Sequence, residues 1–232
     1  MRLSNRLLEI VNFVPKNSIV ADVGTDHGYI PIHLIESGIS KKVIATDISK
    51  NSLDKTIAYV EELDLVNYIE TRLGDGLRPI GLNEVDTVIM AGMGGILIRD
   101  ILEKDKDIRD SIAHFIFQPM VASSELRRYL VENDFQIIDE GLAREDDKFY
   151  EIIYAKRGKS SIGKNINYEI GERLIEKRHP LLVEFLRYKI DILEKVLREL
   201  EGKESSKSRA RYLEIHRLKE EFQEVLLSIE GS

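Results

Sequence analysis

Apolar and polar positions follow two patterns along the first two thirds of the chain. Short apolar runs rich in β-branched residues are separated by stretches in which apolar residues recur every three or four positions. The short runs predict seven strands, at residues 18–23, 41–47, 68–73, 85–91, 114–117, 135–140 and 149–155. The periodic stretches predict helices at residues 3–14, 30–37, 50–63 and 125–132, with another after residue 95. Apolar strands that alternate with helices indicate a parallel α/β sheet covered on both faces, and we expect the last two strands to be antiparallel neighbours.

The last third of the chain carries two long helical stripes instead. They follow a linker-like stretch at residues 157–164, which is rich in Gly, Ser and Lys. The stripes consist of Leu182, Leu186, Leu193, Val196 and Leu200, and of Ile215, Leu218, Phe222, Val225 and Ile229. Because a polar turn at residues 202–208 joins them, they predict an antiparallel helical hairpin with coiled-coil-like packing. We therefore expect two domains, residues 1–157 and 158–232.

Composition excludes several classes of protein. The 232 residues include no cysteine, so disulfides, thiolate-ligated metals and cysteine nucleophiles are excluded, and we expect no metal. No apolar run approaches the roughly 20 residues of a membrane span. The first residues lack the apolar segment of a secretory signal, so we expect a cytoplasmic protein with no membrane partner.

Charge is distributed unevenly along the chain. The net charge is −7, but residues 157–232 carry 16 Lys and Arg against 14 Asp and Glu. Basic residues of the second domain lie at the predicted turn and on the last helix: Lys203, Lys207, Arg209, Arg211, Arg217 and Lys219. Since phosphate binding needs a local basic face rather than a basic total, this hairpin either contacts RNA or is purely structural or dimerising.

A glycine turn after the first strand is the strongest candidate for a cofactor site. Asp22 ends the strand, and the loop Gly24-Thr25-Asp26-His27-Gly28 leads into a helix. Strand, glycine turn and helix bring a ligand to bare backbone and to unpaired N–H groups. The loop lacks the middle glycine of dinucleotide sites and adds negative charge, which a phosphate would resist. It therefore suits S-adenosylmethionine, which has a cationic centre and an α-amino group; the alternative is an ordinary strand–helix turn with capping acids.

Four further strands end in polar or glycine residues, and in parallel sheets ligands bind at that edge. Asp47 is placed to accept hydrogen bonds from ribose hydroxyls, or else it caps the next helix in competition with Ser49. Asp75, in the third strand's Gly-Asp-Gly turn, can accept an adenine amine or be a simple acidic turn. The small residues 91–95 give a methyl donor and its acceptor room to approach, or serve close helix packing. Gln118 and Pro119 end the fifth strand.

These motifs together resemble the bacterial tRNA (adenine-22)-N1-methyltransferases. The resemblance covers residues 3–7, 22–31, 46–48, 74–77, 90–95, 118–120, 145–151 and the helical hairpin. It implies a Rossmann-like methyltransferase sheet with seven strands, a helical C-terminal domain, S-adenosylmethionine as methyl donor and N1 of an adenine in the tRNA D-arm region as acceptor. Two departures from the generic methyltransferase pattern are Asp26 in place of the middle glycine and the absence of an Asn/Asp-Pro-Pro-Tyr motif at the fourth strand.

Motif positions then assign the candidate site residues. We predict that the cofactor is bound by Asp22, Gly24, Gly28, Asp47, Ile48, Gly74, Asp75, Gly76, Ala91 and Gly92. We predict that the residues at the reacting groups are Asp26, His27, Tyr29 and Met93. His27 can move a proton, cap the helix or pack against adenosine, and Tyr29 can stack on a base or pack the helix start.

The chemistry of the acceptor agrees with an acidic site. N1 of adenine has a free lone pair only when its Watson–Crick edge is unpaired, so the base must be loosened or flipped. Its methylated product is a cation, which a carboxylate such as Asp26 or Asp75 would stabilise. Two alternatives stay open at this point: a methyltransferase for a protein or small molecule, and a non-catalytic interaction module. We expect a monomer.

Overall fold

The computed structural model describes residues 3–203 and 205–231. Cα positions group these residues into two compact units that divide between Ser161 and Ile162. The assignment of the two units to catalysis and RNA contact stays a prediction.

The first unit is built on a mixed sheet, which has seven strands within the described residues. The strands are β1 (Ser18–Val23), β2 (Ser40–Asp47), β3 (Ile69–Leu73), β4 (Thr87–Met93), β5 (His114–Pro119), β6 (Phe135–Glu145) and β7 (Lys148–Arg157). Their order is β3-β2-β1-β4-β5-β7-β6. The first five strands are parallel, whereas β7 runs antiparallel to both β5 and β6. The predicted Rossmann-like sheet with a final antiparallel pair is confirmed, and its reversal point lies between β1 and β4.

Helices cover the sheet and form the second unit. Those of the first unit are α1 (Asn5–Asn12), α2 (Tyr29–Glu36), α3 (Lys50–Glu62), α4 (Gly95–Lys104), α5 (Lys106–Asp110) and α6 (Ser123–Glu132). Those of the second unit are α7 (Ile166–Ile170), α8 (Glu172–Glu176), α9 (Leu182–Leu200) and α10 (Ser206–Glu230). The short helices α5, α7 and α8 were not predicted, because five residues are too few to display a helical period.

Some predicted boundaries were wrong, and capping or pairing explains each shift. Strand β4 begins at Thr87 rather than residue 85, because the Asp86 carboxylate accepts the Ile19 backbone N–H at 3.0 Å. The polar turn ends early, because the Ser205 hydroxyl caps α10 by accepting the Ser208 N–H at 3.0 Å. Strands β6 and β7 continue beyond their predicted ends and pair as far as Glu145 and Lys148.

The core of the first unit consists of the central strands and the helix faces against them. Apolar residues on β1, β2 and β4 are fully buried, including Val20, Ile44 and Ile89. Helix α1 adds Ile10 and Val11 to the same core. Both sheet faces are therefore apolar, which leaves the carboxyl edge of the strands for polar residues.

The second unit contains the predicted helical hairpin, in which α9 and α10 pack together. Leu182 and Leu186 of the first stripe are buried, as are Ile215 and Phe222 of the second. The remaining stripe residues are half-buried. Helix α9 also buries residues that the stripe omitted: Phe185, Ile190 and Leu197. Among the described residues, no helix combines the length and apolarity that a bilayer crossing needs.

Candidate active site

A cavity of about 1230 Å³ opens at the carboxyl edge of the sheet. Its lining comes from α1, the loop between β1 and α2, α3, the ends of β4 and β5, and the β6–β7 hairpin. The predicted site residues that line it are Asp22, Gly24, Asp26, His27, Tyr29, Ala91 and Gly92. Half of the predicted set therefore meets in one place, as expected for the edge where parallel strands end.

Asp22 presents a buried carboxylate to this cavity. Its residue exposure is 4%, and it makes no ion pair with any residue that the structure describes. Burial raises the pKa of Asp22 to about 6; the Thr25 hydroxyl opposes this rise, and the carboxylates of Asp47 and Asp26 add to it. A desolvated carboxylate without a cation is a binding site for a positively charged ligand group.

The loop after β1 is held open by backbone geometry. Gly24 has φ +77°, and a Cβ there would lie 2.3 Å from the Met93 Cε atom. Gly28, the N-cap of α2, has φ +70°, and a Cβ there would lie 2.8 Å from Thr56 Cγ2. Both positions therefore need glycine. The buried Thr25 hydroxyl lies beside the Asp22 carboxylate and lowers its pKa, so these two polar groups stand together in the loop.

His27 is oriented from both sides of its ring. Its Nδ1 lies 2.5 Å from the Asp26 carboxylate, and its Nε2 lies 3.5 Å from the Lys55 ammonium group. Since a lysine ammonium can only donate, Nε2 accepts and Nδ1 carries the proton donated to Asp26. The ring also stacks on Tyr29, with centroids 5.5 Å apart. Both ring nitrogens are engaged, so this arrangement favours an orienting or packing role over proton transfer.

The contacts at the end of β2 distinguish the two roles considered for Asp47, ribose binding and capping of α3. Ser49 is the N-cap of α3, because its hydroxyl accepts the Ser52 N–H. One oxygen of the Asp47 carboxylate accepts the Ser49 N–H at 2.6 Å, and the other has no protein partner among the described residues. Ile48 follows as an exposed side chain, 72% accessible. Among the described residues, neither Asp47 nor Ile48 lines the cavity. Both lie at the carboxyl edge of the sheet, where the cavity opens.

The Gly-Asp-Gly turn after β3 has structural partners of its own. The Gly74 N–H donates to the Asp47 carbonyl at 2.9 Å, and Gly76 packs against Ile101. Asp75 pairs with the Lys104 ammonium group at 2.5 Å, and this hydrogen bond lowers the pKa of Asp75. Among the residues that the structure describes, Gly74, Asp75 and Gly76 lie outside the cavity lining. The ends of β1 and β4 thus contribute to the cavity lining, whereas the turn after β3 does not.

The end of β4 closes the cavity floor. The Gly92 N–H donates to the Gln118 side-chain oxygen at 3.2 Å, and the Met93 carbonyl accepts the Met120 N–H at 2.7 Å. The Met93 side chain lies against Gly24 rather than facing the opening. Among the described residues, no cluster of three or more His, Cys, Asp or Glu side chains suits a metal ion.

Sequence reasoning missed many of the residues that line the cavity. They are Leu3, Ser4, Arg6, Leu7, Met120, Glu145 and Tyr150, with Lys55, Ala58, Tyr59 and Glu62 on α3. Several of them lie in the motifs that carried the family resemblance, which was the one available signal. Position along the chain gave no signal for those on α1 and the β6–β7 hairpin, because these elements lie outside the strand-to-helix turns of the parallel sheet.

Comparisons with known proteins agree with this geometry. The family model for a methyltransferase domain matches residues 3–153. The chain is 34% identical over 158 residues to the tRNA (adenine(22)-N(1))-methyltransferase of Bacillus subtilis; the alignment covers 68% of this chain and 66% of that protein.

Solved structures also match along nearly the whole chain. A Streptococcus pneumoniae protein, described as a candidate tRNA (m1A22) methyltransferase and crystallised with S-adenosyl-L-methionine, has 30% identity and a TM-score of 0.87; the match covers 97% of this chain and 100% of that one. The M. capricolum protein TrmK, crystallised with S-adenosyl-homocysteine, has 27% identity and a TM-score of 0.83, covering 99% and 100%.

The strand order, the glycine loop and the family match define the class of this protein, which is a Rossmann-like methyltransferase. The relatives that align over its full length narrow the class further. The chain belongs to the family of bacterial tRNA (adenine-22)-N1-methyltransferases, as the resemblance of its motifs predicted.

Proposed function

We propose that this chain is an S-adenosylmethionine-dependent enzyme that methylates N1 of adenine 22 in tRNA. The observation that carries the proposal is the buried, unpaired Asp22 at the base of a glycine loop that opens into the cavity. The relatives crystallised with S-adenosyl-L-methionine and S-adenosyl-homocysteine support this cofactor. The activity named for the Bacillus subtilis relative supports this acceptor.

The residues present fit the cofactor. Asp22 offers a carboxylate to its α-ammonium group, and the buried Thr25 hydroxyl lies beside that carboxylate. Gly24 exposes bare backbone at the same place, and Asp47 keeps one carboxylate oxygen for the ribose hydroxyls. When bound, S-adenosylmethionine supplies an electrophilic methyl group on a sulfonium centre.

The chain's own contribution to the reaction is mainly alignment of the two reactants. N1 of adenine has no proton to lose, so no general base is required, which agrees with the engaged nitrogens of His27. We assign the stacked His27–Tyr29 pair, with Asp26, to the wall that orients the reacting groups. Met93 we place beside the transferred methyl group, because its side chain lies against Gly24.

The rest of the predicted cofactor residues keep their proposed roles around this centre. Ala91 and Gly92 line the cavity with small residues, which leaves room for the methyl donor and the acceptor base to approach each other. We propose that Gly28 opens α2 toward the cofactor, and that Ile48 and the turn of Gly74, Asp75 and Gly76 border its adenine. The first domain is acidic, with 18 Lys and Arg against 27 Asp and Glu in residues 1–156, which favours a sulfonium cofactor and a cationic product.

Methylation of an unmodified tRNA transcript tests the proposal. We expect the full chain to transfer labelled methyl groups from S-adenosylmethionine to this transcript, and reverse transcription to stop at adenine 22. A transcript with guanine at that position is the matched control. Cofactor binding without transfer to tRNA would favour a protein or small-molecule substrate, and no cofactor binding would favour a non-catalytic module. We place the enzyme in the cytoplasm as a monomer, which a solution mass measurement checks.

Replacing Asp47 with Ala is expected to weaken cofactor binding while the fold is retained. The loss of charge-assisted hydrogen bonds to the ribose predicts a rise in the dissociation constant of about 10- to 100-fold. Calorimetric titration with S-adenosylmethionine measures it. Asp54→Ala, which removes an exposed carboxylate from α3, is the matched control and should bind normally. Equal affinity of Asp47→Ala and wild type would remove Asp47 from the cofactor site.

The second domain is proposed to bind tRNA phosphates through the basic end of its hairpin. Lys207 and Arg209 are exposed at the start of α10, and neither forms an ion pair within residues 3–203 and 205–231. Farther along the helix, Arg211 and Arg217 pair with Glu214 and Glu221. Unpaired cations bind phosphates without first losing a protein partner, so the hairpin start is the better candidate.

The double variant Lys207→Gln, Arg209→Gln is expected to weaken tRNA binding by about tenfold near 0.1 M salt. The slope of log affinity against log salt should become shallower by one to two units, since each phosphate contact contributes roughly one. The control Lys16→Gln, Lys41→Gln removes the same charge at the amino ends of β1 and β2, away from the cavity. Equal losses in the two variants would mean that only net charge matters and that the hairpin start makes no contact.

A further inference from the structure

The cavity is larger than a single cofactor needs. Small-ligand sites typically occupy roughly 300–1,000 Å³, whereas this cavity measures about 1230 Å³. The sheet order places β1 and β2, with the proposed cofactor residues, on one half of the sheet and β5, β7 and β6 on the other. The second half therefore has room for another ligand, with a lining of its own.

That second lining is built around Arg6 on α1. Its guanidinium group donates to the Gln118 side-chain oxygen at 2.7 Å and lies 5.5 Å from the centre of the Tyr150 ring. Its backbone N–H donates to the Glu145 carboxylate at 2.7 Å. Gln118 also accepts the Gly92 N–H, so the cluster reaches the end of β4, where the methyl group would be transferred. Three separate parts of the chain are thereby locked together.

Glu145 is the member of this cluster that can accept a further hydrogen bond. Its carboxylate accepts the Arg6 backbone N–H and forms no ion pair with any described residue. A second carboxylate oxygen thus remains available at the cavity wall. An unneutralised carboxylate there is suited to a ligand that donates hydrogen bonds and gains positive charge.

We propose that Arg6, Glu145 and Tyr150 form the pocket for the acceptor adenine, and that the Glu145 carboxylate accepts a hydrogen bond from the exocyclic amine of that base. This inference rests on the proposed function. Tyr150 supplies an aromatic face for the flipped base, and Arg6 is a positioning residue that holds Glu145 through its backbone.

The carboxylate matches the charge that the reaction creates. The N1 lone pair forms the bond to the methyl carbon, and the carbon–sulfur bond breaks with its electron pair going to sulfur. The sulfonium charge is lost, and the adenine becomes a cation whose charge is shared between N1 and the exocyclic amine. A hydrogen bond from that amine to Glu145 therefore strengthens as the methyl group moves, which lowers the barrier.

Asp75, Asp26 and Asp22, the acidic residues on the cofactor side, are less suited to stabilise the cationic adenine. Asp75 is neutralised by Lys104, and Asp26 is bound to His27. Asp22 is buried at the base of the cofactor loop. Glu145 is the acid on the opposite half of the cavity that the described chain leaves unpaired.

A substrate lacking the exocyclic amine tests the inference. The full chain is given a tRNA with adenosine or purine riboside at position 22, and turnover is measured for wild type and Glu145→Ala. On adenosine we expect the variant to lose about 30-fold in kcat while its S-adenosylmethionine affinity stays within twofold. Removing the amine also lowers the intrinsic reactivity of N1, so the decisive quantity is the adenosine-to-purine rate ratio. This ratio should fall at least tenfold in Glu145→Ala.

Two further variants keep the test decisive. Glu145→Gln retains an acceptor for the Arg6 N–H but loses the charge, and we expect about tenfold lower kcat; it replaces the alanine variant if that one fails to fold. Asp147→Asn removes an exposed charge from the same hairpin turn and should keep wild-type rates. Equal rate ratios in an active wild type and the Glu145 variants would overturn this inference alone. A wild type that binds the cofactor but methylates no tRNA would overturn the proposed function itself.

Discussion

Replacing Asp22 with Asn is expected to stabilise the ligand-free protein at pH 7.5 by up to about 3 kcal/mol. The folded carboxyl group has a pKa of about 6, against 3.8 for an ordinary Asp, chiefly because it is buried. Between these values the native state holds more protons than the unfolded chain, so the free energy of unfolding falls as pH rises. Above about pH 6 the Asp22 carboxylate is ionised in the folded state, so the full cost of burying its charge lowers the free energy of unfolding. Asn carries no charge and has no such cost.

Urea unfolding at pH 4.5 and pH 7.5 measures this effect. The gain of Asp22→Asn over wild type should be large at pH 7.5 and much smaller at pH 4.5, where the wild-type carboxyl group is protonated. Asp54→Asn removes an exposed carboxylate and should show neither effect. A variant less stable than wild type at pH 7.5 would mean that Asp22 is held by favourable partners instead.

The same substitution should oppose cofactor binding. The α-ammonium group of S-adenosylmethionine would lose its carboxylate partner, so we expect at least a 100-fold rise in the dissociation constant. Wild-type affinity should itself fall by about tenfold between pH 7 and pH 5, as Asp22 takes up a proton. Calorimetry across this range should show no such pH dependence for Asp22→Asn. A gain in stability combined with a loss of affinity would show that the buried charge is retained for binding.

Local pattern was enough to predict the sheet and to bring half of the predicted site residues to one cavity. Short apolar runs marked the strands, and polar residues such as Asp22 and Asp47 lay at their carboxyl ends. Because parallel strands share a carboxyl edge, residues 25 positions apart along the chain could be placed together without any structure.

The proposed acceptor pocket could not be predicted in the same way. Arg6 and Glu145 are 139 residues apart, and their contact depends on how α1 meets the β6–β7 hairpin. No periodic signal encodes that packing. Asp75 lies after β3, as predicted. Its pairing with Lys104 on α4 was not predicted, because this tertiary contact cannot be read from the sequence of the turn.

A buried ion cluster joins the β6–β7 hairpin to α6, in addition to the pairing of β7 with β5. Arg127 on α6 is fully buried and donates to Glu140 on β6 at 2.6 Å and to Glu151 on β7 at 2.8 Å. Burial works against the charged guanidinium group, but the two carboxylates outweigh it, so the pKa of Arg127 lies above its usual value. Glu151 neighbours Tyr150, so the cluster also holds the strand that carries part of the proposed acceptor pocket.

Replacing Arg127 with Met is expected to lower the free energy of unfolding by about 3–5 kcal/mol, because it leaves two buried carboxylates without their cation. Those carboxylates would then resist ionisation, so the deficit should shrink as pH falls toward 4.5. Urea unfolding at both pH values checks this. The triple variant Arg127→Met, Glu140→Leu, Glu151→Leu removes the charges together and should recover most of the stability. A single variant that loses less than about 1 kcal/mol, or a triple variant no better than the single one, would mean that packing rather than charge pairing anchors the hairpin.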